Sequence, residues 1–395
     1  MTHVLIAGLS TRAAAASAAR AGFVVTSLDG YADRDQHPDV RAVSLPRDLG
    51  IPFTAPLAAD AAAGRACDAV AYLSNFDNNP DAVAALAANR VLWGNPPDVL
   101  RRVRDPQAVA LGFRTHGVSV PDLARRAQEP DSATGWLLKP ISSGGGRGVR
   151  RWRPGAAVPD GCYLQQWIDG TPGSIVFLAA AGRVTALAVT RQLIGDRRFG
   201  ASGYRYCGNI LASPADPQFD RGVALTDLAC TVAAAAAAEF HLTGVNGIDF
   251  IARAGVPFPI EINPRWTAAM ELVEAVTGRC VFEAHAAACV HGWLPEPLPP
   301  IEGAFGKAIV FADAHYIAGN TDGWLTDTDI RDVPHCGETI TAGDPVCTVF
   351  AGGADAAECE EALVARARRI YADMRRWRCV PPAVMTAVSQ LPVDQ

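Results

Sequence analysis

None of the ten cysteines stands in a CxxC pair, so the chain has neither zinc-ribbon nor thioredoxin-like spacing and its thiols read as reduced. Excess positive charge is also lacking. The net charge is -6 and the pI near 5.8, which leaves no electrostatic footprint for nucleic acid. The nearest basic run, Arg147 to Arg153, adjoins a glycine loop and points to a phosphate ligand instead. No charged n-region or cleavage site precedes the strand-like HVLIAG, so no signal peptide is expected. The alanine tracts Ala13–Ala16 and Ala233–Ala238 are too short and weakly apolar to span a bilayer, and read as helices. A cytoplasmic protein with neither a nucleic-acid nor a membrane partner is the expectation. The first strand-to-helix turn, GLSTRA, lacks the second and third glycines of a dinucleotide fingerprint. Asp29, at the end of the second strand, therefore reads as a solvated turn residue.

What is present is a globular composition, 49% hydrophobic and 19% charged, in 395 residues, enough for roughly two to four packed domains. Short apolar strands alternate with alanine-rich helices at Val4–Ala7, Val24–Leu28, Ala42–Leu45, Ala69–Leu73 and Val91–Trp93. That alternation predicts βαβ units in a parallel, doubly wound sheet. Near Pro96–Pro121, Asp98 is expected to cap one helix and Asp105-Pro106 to start another. A strand-rich stretch follows at Trp136–Ile141, Val149–Trp152, Tyr163–Ile168, Ser174–Ala179 and Val184–Gln192. Arg221–Phe240 reads as one helix, Val245–Asn263 as a hairpin, and the stretch to Gly292 as helical. Pro295–Pro300 reads as a connector. Beyond it, Lys307–Ala312 and HCGETITAGDPVCTVFAGG read as short antiparallel strands before a last helix, Ala354–Trp377.

Two segments carry chemistry. In WLLKPISSGGGRGVRRW a strand ends at Lys139, and Gly144, Gly145, Gly146 and Gly148 leave backbone N–H groups free to approach phosphate oxygens. Lys139 would add a fixed charge for the α- and β-phosphates. This is not a Walker loop, where the lysine follows the glycines and a helix begins at once. The bland alternative is a flexible hairpin with an incidental lysine. In VNGIDFIARAGVPFPIEINPR two strands flank the turn Arg253–Val256. A symmetric hairpin pairs Asp249 with Glu261, Ile248 with Ile262 and Phe250 with Ile260. One face is then apolar, and the other carries the acids with Asn263 beside them. Like charges so placed repel, and a hard cation resolves the conflict with the oxygen donors magnesium accepts. Two acids on a wet sheet face are the alternative. Arg265 follows, suited to a phosphate or a carboxylate.

On these residues the sequence resembles the ATP-grasp superfamily over nearly its whole length. The resemblance implies an α/β and α+β chain with four parts. These are a Rossmann-like pre-ATP-grasp domain (1–103), a small lobe with the glycine-rich lid (104–164), a large lobe with the metal hairpin (165–295) and a C-terminal β-rich cap with a helix (296–395). It implies ATP with Mg2+, or Mn2+, as cofactors. Lys139 would bind phosphate, Ser142, Ser143 and the glycines to Gly148 would form the lid, and Asp249, Glu261 and Asn263 would hold metal. Arg265 would face the reaction centre. The hinge YLQQWIDG would hold adenine near Gln165, Trp167 and Ile168, with Asp169 a ribose candidate. It has glutamine where the family has a glutamate. The second family lysine is absent from VRDPQAV, and Arg104 is the candidate that would stand in for it. The two ends of the chain look like a carboligase-like group related to biotin carboxylase. That group includes the tyramine–glutamate ligase of methanofuran biosynthesis.

The implied activity is ATP-dependent joining of a small-molecule carboxylate and an amine through an acyl-phosphate, in a possible homodimer. Glutamate with a tyrosine-derived amine is the specific case. Arg265 and Arg205 are candidates for carboxylates, Glu271 for orienting the amine, and Tyr204, Tyr206 and Asn209 of FGASGYRYCGNI for an acceptor pocket or an ordinary strand and turn. His241 reads as a helix-end residue. Two other readings stand beside this one: an ATP-binding subunit that has lost turnover, and a biotin-carboxylase-like enzyme. Against the second, WTAAMEL replaces the Gln-Val-Glu-His run after the NPR motif, and no Met-Lys-Met carrier segment is present.

Overall fold

The computed structural model describes residues 1–124, 135–299 and 301–379. Pro300, the end of the expected connector, and residues 380–395 of the last expected domain lie outside the described residues. Five strands open the chain: β1 (His3–Gly8), β2 (Val24–Asp29), β3 (Val40–Ser44), β4 (Ala69–Tyr72) and β5 (Val91–Trp93). They form one parallel sheet in the order β3-β2-β1-β4-β5. The central strand is apolar on both faces, as a parallel strand between helix layers must be. Val4, Leu5, Ile6 and Ala7 are all fully buried. The third strand ends one residue before the expected Leu45. Ser44 there accepts a hydrogen bond from the N–H of Arg47 and starts a short helix at Leu45-Pro46, as an N-cap followed by proline dictates.

Two helices, Pro97–Val103 and Pro106–Thr115, lead into the next lobe. Asp105 caps the second, accepting from Gln107 N–H at 2.8 Å. Asp98 does not cap the first: it lies inside the opening turn after Pro97, where its charge still favours the helix dipole. The small sheet contains β6 (Leu123–Ala124), β7 (Trp136–Pro140), β8 (Arg150–Arg151) and β9 (Cys162–Gln166), in the order β6-β9-β7-β8.

The large sheet begins with β10 (Thr171–Ala180), β11 (Arg183–Ile194), β12 (Tyr206–Ala212), β13 (Gly244–Arg253), β14 (Val256–Asn263) and β15 (Ala304–Phe311). Beyond these lie β16 (Tyr316–Ile317), β17 (Ile330–Arg331), β18 (Thr339–Ile340), β19 (Pro345–Gly353) and β20 (Arg378–Cys379). The order β14-β13-β10-β11-β12-β15-β19-β17 joins the strands after the proline connector to the same sheet. Lys307–Ala312 and HCGETITAGDPVCTVFAGG do supply antiparallel strands, β15 pairing with β19, but β18 of that run leaves the large sheet. Instead β18 joins β16 and β20 in a three-stranded sheet, while β19 lies between β15 and β17.

Helix Gly222–Phe240 covers one face of the large sheet. Leu225, Ala229, Ala233, Ala236 and Phe240 pack on Ile175, Phe177, Ile248, Phe250 and Ile262. Among the described residues it is the one helix long and apolar enough to cross a membrane, and this packing accounts for its apolar length. His241 ends it in the left-handed conformation. The opposite face, around Val176 and Leu178, packs on Met270, Phe282 and the first sheet's β1 residues Val4 and Ile6. The sheet is therefore fixed from both sides, and its polar residues emerge where the three parts of the chain meet.

Candidate active site

The hairpin β13–β14 turns through Ala254 and Gly255, at φ 51° and 78°, a two-residue turn whose twist suits a tight hairpin. Its register pairs Arg253 with Val256 and Phe250 with Pro259, not with the expected Ile260. A bulge at this point restores Asp249 opposite Glu261, Ile248 opposite Ile262 and Gly247 opposite Asn263. Ile260 is the extra residue. The acids are opposite each other because of the bulge, not because the hairpin is symmetric.

Burial, and then Glu261 across the ribbon, push the Asp249 carboxyl up to about 6. Asp249 accepts hydrogen bonds from Gln192 Nε2 at 2.9 Å and Asn263 Nδ2 at 3.1 Å. Glu261 accepts from Arg104 Nη1 at 2.7 Å. Among the described residues no three or more His, Cys, Asp and Glu side chains are placed to hold a metal together. The donor set here is two carboxylates and an amide, whose oxygens are of the kind a hard cation takes.

Lys139, at the end of β7, reaches this spot from the small lobe. Its Nζ donates to Gln165 Oε1 at 3.2 Å and to the carbonyl of Ile260 at 3.3 Å. Gln165 is thus turned towards the lysine. Of the remaining hinge candidates, Trp167 stacks under the Arg151 guanidinium at 3.7 Å, Ile168 is buried and Asp169 is exposed. The loop Ser142–Gly148 of the same lobe touches both the large sheet's Tyr206 and Asn78 of the first domain. Gly146 sits at φ 77° so close to the backbone of Tyr204 that a Cβ would lie 1.8 Å from that carbonyl oxygen. The N–H of Tyr206 donates to Gly145 O at 3.1 Å, and Asn78 Nδ2 donates to Ser143 O at 3.4 Å.

Arg104 and Arg265 converge on a residue that sequence reasoning missed. Asp77, 1% exposed, accepts at Oδ2 from Arg265 Nε at 2.9 Å and from Arg104 Nη2. Burial alone would raise this carboxyl; Arg265 and Arg104 outweigh it and hold it below the ordinary value. The other arms of the two guanidinium groups reach Glu261 and Asn263 Oδ1, the latter at 3.1 Å. Arg104 therefore links the first domain to the hairpin.

A second cluster surrounds Glu271. Both its oxygens are taken, one by Arg12 Nη2 and one by Lys307 Nζ, each at 2.5 Å. Burial would raise this carboxyl, but Arg12 and Lys307 hold it down at about 2, so it serves as their buried counter-ion. Arg12 continues to Asp332 at 2.7 Å and Asp35 at 3.3 Å. Lys307 stands opposite Asn209 on the sheet. Asn209 donates to Thr190 at 2.7 Å and accepts from the Tyr206 hydroxyl, so its side chain is engaged in the sheet floor. Arg205 lies over the Phe311 ring at 3.8 Å. Asp29 is not solvated: fully buried, it accepts from the N–H and hydroxyl of Thr11 and the N–H groups of Tyr31 and Ala32. It braces Thr11, the residue that precedes the helix Arg12–Arg20.

The residues missed had one legible signal. The chain contains two lysines, Lys139 and Lys307, against 33 arginines, and both are in these clusters. Arg12 and Asp77 follow β1 and β4, the adjacent central strands at whose carboxyl ends a doubly wound sheet opens a crevice.

Residues 105–269 match the family described as the ATP-grasp domain. The match covers less than half of the chain, while the fold of nearly the whole chain is shared with several solved structures. An L-amino acid ligase from Bacillus licheniformis superposes with a TM-score of 0.68 at 17% identity, covering 96% of this chain and 98% of that one. The biotin carboxylase domain dimer of Hydrogenobacter thermophilus 2-oxoglutarate carboxylase, in complex with Mg-ADP and bicarbonate, gives 0.66 at 15% over 96% and 90%. A carboxyaminoimidazole ribonucleotide synthase from Aspergillus clavatus, complexed with ATP, gives 0.66 at 15% over 93% and 99%. At these identities the likeness is one of fold. No curated protein sequence matches the chain.

Proposed function

We propose that this chain is an ATP-dependent carboxylate–amine ligase that binds Mg-ATP between the small-lobe lid and the β13–β14 hairpin. The observation that carries the reading is the meeting of Asp249, Glu261 and Asn263 on one ribbon, with Lys139 Nζ 3.3 Å from the carbonyl of Ile260. Asp249, Glu261 and Asn263 would hold magnesium, which would supply neutralisation of phosphate charge. Lys139, oriented by Gln165, would hold phosphate oxygens. The lid would exclude water, which otherwise destroys an activated acyl group. Arg265, anchored by Asp77, would hold the substrate carboxylate for in-line attack on the γ-phosphorus. ADP leaves as the carboxylate oxygen bonds to that phosphorus. The acyl-phosphate then loses inorganic phosphate as the amine nitrogen bonds to its carbonyl carbon, the departing phosphate taking up the proton the nitrogen gives up.

The matching amino acid ligase supports amide formation, and the two nucleotide-bound neighbours support Mg-ATP use. The resemblance of the chain's ends extends this to glutamate and a tyrosine-derived amine in methanofuran-type cofactor biosynthesis. A cytoplasmic homodimer with the four domains set out above belongs to the same proposal. The test is ADP release from Mg-ATP with glutamate, tyrosine and tyramine derivatives, singly and in pairs. Release that needs both a carboxylate and an amine is expected. Nucleotide binding with no turnover under any pair would favour a non-catalytic subunit, and bicarbonate-dependent release would favour a carboxylating enzyme.

A further inference from the structure

Asp249 faces Glu261 across the ribbon, and turning its side chain away would relieve the repulsion between two carboxylates so placed. Two amide donors oppose that turn, one on each oxygen. Asn263 Nδ2 holds Oδ2 at 3.1 Å, and Gln192 Nε2 holds Oδ1 at 2.9 Å. Asn263 belongs to the hairpin itself, but Gln192 comes from β11, on the far side of β10. Ser174 of β10 pairs with Thr190 on one side and with Asp249 on the other, so these three share one face of the sheet. Gln192, two residues on from Thr190, shares it too. With β10 between them, β11 and β13 are roughly 9–10 Å apart. A glutamine meets the aspartate across that gap; an asparagine is a methylene shorter.

A hydrogen bond to a carboxylate oxygen occupies one of its lone pairs and leaves another. Held by one amide on each oxygen, Asp249 therefore keeps its orientation beside Glu261 and still has lone pairs for a cation. At its own end Gln192 stands opposite Asn209 of β12, whose amide donates to Thr190 and accepts from the Tyr206 hydroxyl. The glutamine thus ties the acid pair to the polar floor of the large sheet. We propose that Gln192 is a positioning residue for the metal site, acting through Asp249. This rests on the ligase reading and adds to it a residue from outside the hairpin. A donor that orients a metal-binding side chain in advance commonly changes metal affinity by about 10–100-fold, because less freedom is lost when the ion arrives.

The experiment follows binding of a non-hydrolysable ATP analogue to the full chain by calorimetry over a series of Mg2+ concentrations. Gln192→Met keeps the length and removes the donor; Gln192→Asn keeps the donor and removes the reach. In both, the Mg2+ concentration for half-maximal binding should rise about tenfold, while affinity at saturating Mg2+ stays within about twofold of wild type. An unchanged Mg2+ midpoint in either variant overturns the positioning role while the metal site stands. So does a loss of affinity that saturating Mg2+ does not restore, because the glutamine then only supports the sheet. Wild-type binding that is indifferent to Mg2+ removes the metal site itself, and this role with it.

Discussion

Asp249 sits in a conflict that its neighbours only partly resolve. It faces Glu261 directly and is buried, and its carboxyl titrates near 6 in place of 3.8. With the folded value raised, protonation stabilises the fold. That contribution is full below pH 3.8 and is lost as the pH rises through 6. Asp249→Asn removes the penalty. In metal-free protein the variant should match wild type near pH 4 and exceed it by about 1–3 kcal/mol at pH 7.5, measured by urea unfolding at both pH values. The same variant should lose the stabilisation that Mg2+ gives wild type. Asp77 poses the reverse case, because one carboxylate oxygen anchors two buried guanidinium groups. Asp77→Asn keeps the shape and removes the charge, and breaking a buried pair in this way is expensive. We expect kcat/KM to fall roughly 100-fold as Arg104 and Arg265 lose their placement, read by steady-state ADP release. An effect below about threefold would show that the two arginines are held by other contacts.

At the scale of elements, two loops carry the account. Gly146 has both a positive φ and a backbone neighbour where a Cβ would go. Gly146→Ala should therefore hold the lid away from Tyr204. The expected result is at least a tenfold loss of kcat with little change in melting temperature, because the loop is mostly exposed and contributes little packing. The hairpin turn offers a test in the other direction. Ala254 occupies the left-handed region at φ 51°, where asparagine fits better. Ala254→Asn should stabilise the protein by about 0.5–1 kcal/mol, read by denaturant unfolding, without altering the acid pair. These elements also show what sequence can and cannot give. The Asp105-Pro106 cap and the apolar face of the hairpin were legible because local periodicity and capping chemistry set them. The Phe250–Pro259 pairing was not, because a bulge shifts the register without changing the alternation of residue types. The polar clusters were hidden for a different reason. Arg12 meets Glu271 across 259 positions and Arg265 meets Asp77 across 188, and no local pattern encodes such a meeting.

For the whole molecule, distant parts of the chain meet in two polar clusters. The first domain supplies Asp77, Asn78 and Arg12; the small lobe supplies Lys139 and the lid; the large sheet supplies Asp249, Glu261, Asn263 and Lys307. A ligand that binds only this assembled arrangement must stabilise all three together. At about one hundred times its dissociation constant it would add about 2.7 kcal/mol. The central claim is that the hairpin oxygens and Lys139 together hold a magnesium-bound nucleotide. Calorimetric titration with a non-hydrolysable ATP analogue tests it most directly, on wild type, Glu261→Gln and Lys139→Ala, each with and without Mg2+. The account predicts Mg2+-dependent binding by wild type and at least a tenfold loss of affinity in each variant. Binding of equal strength in all three proteins, or binding indifferent to Mg2+, would contradict it.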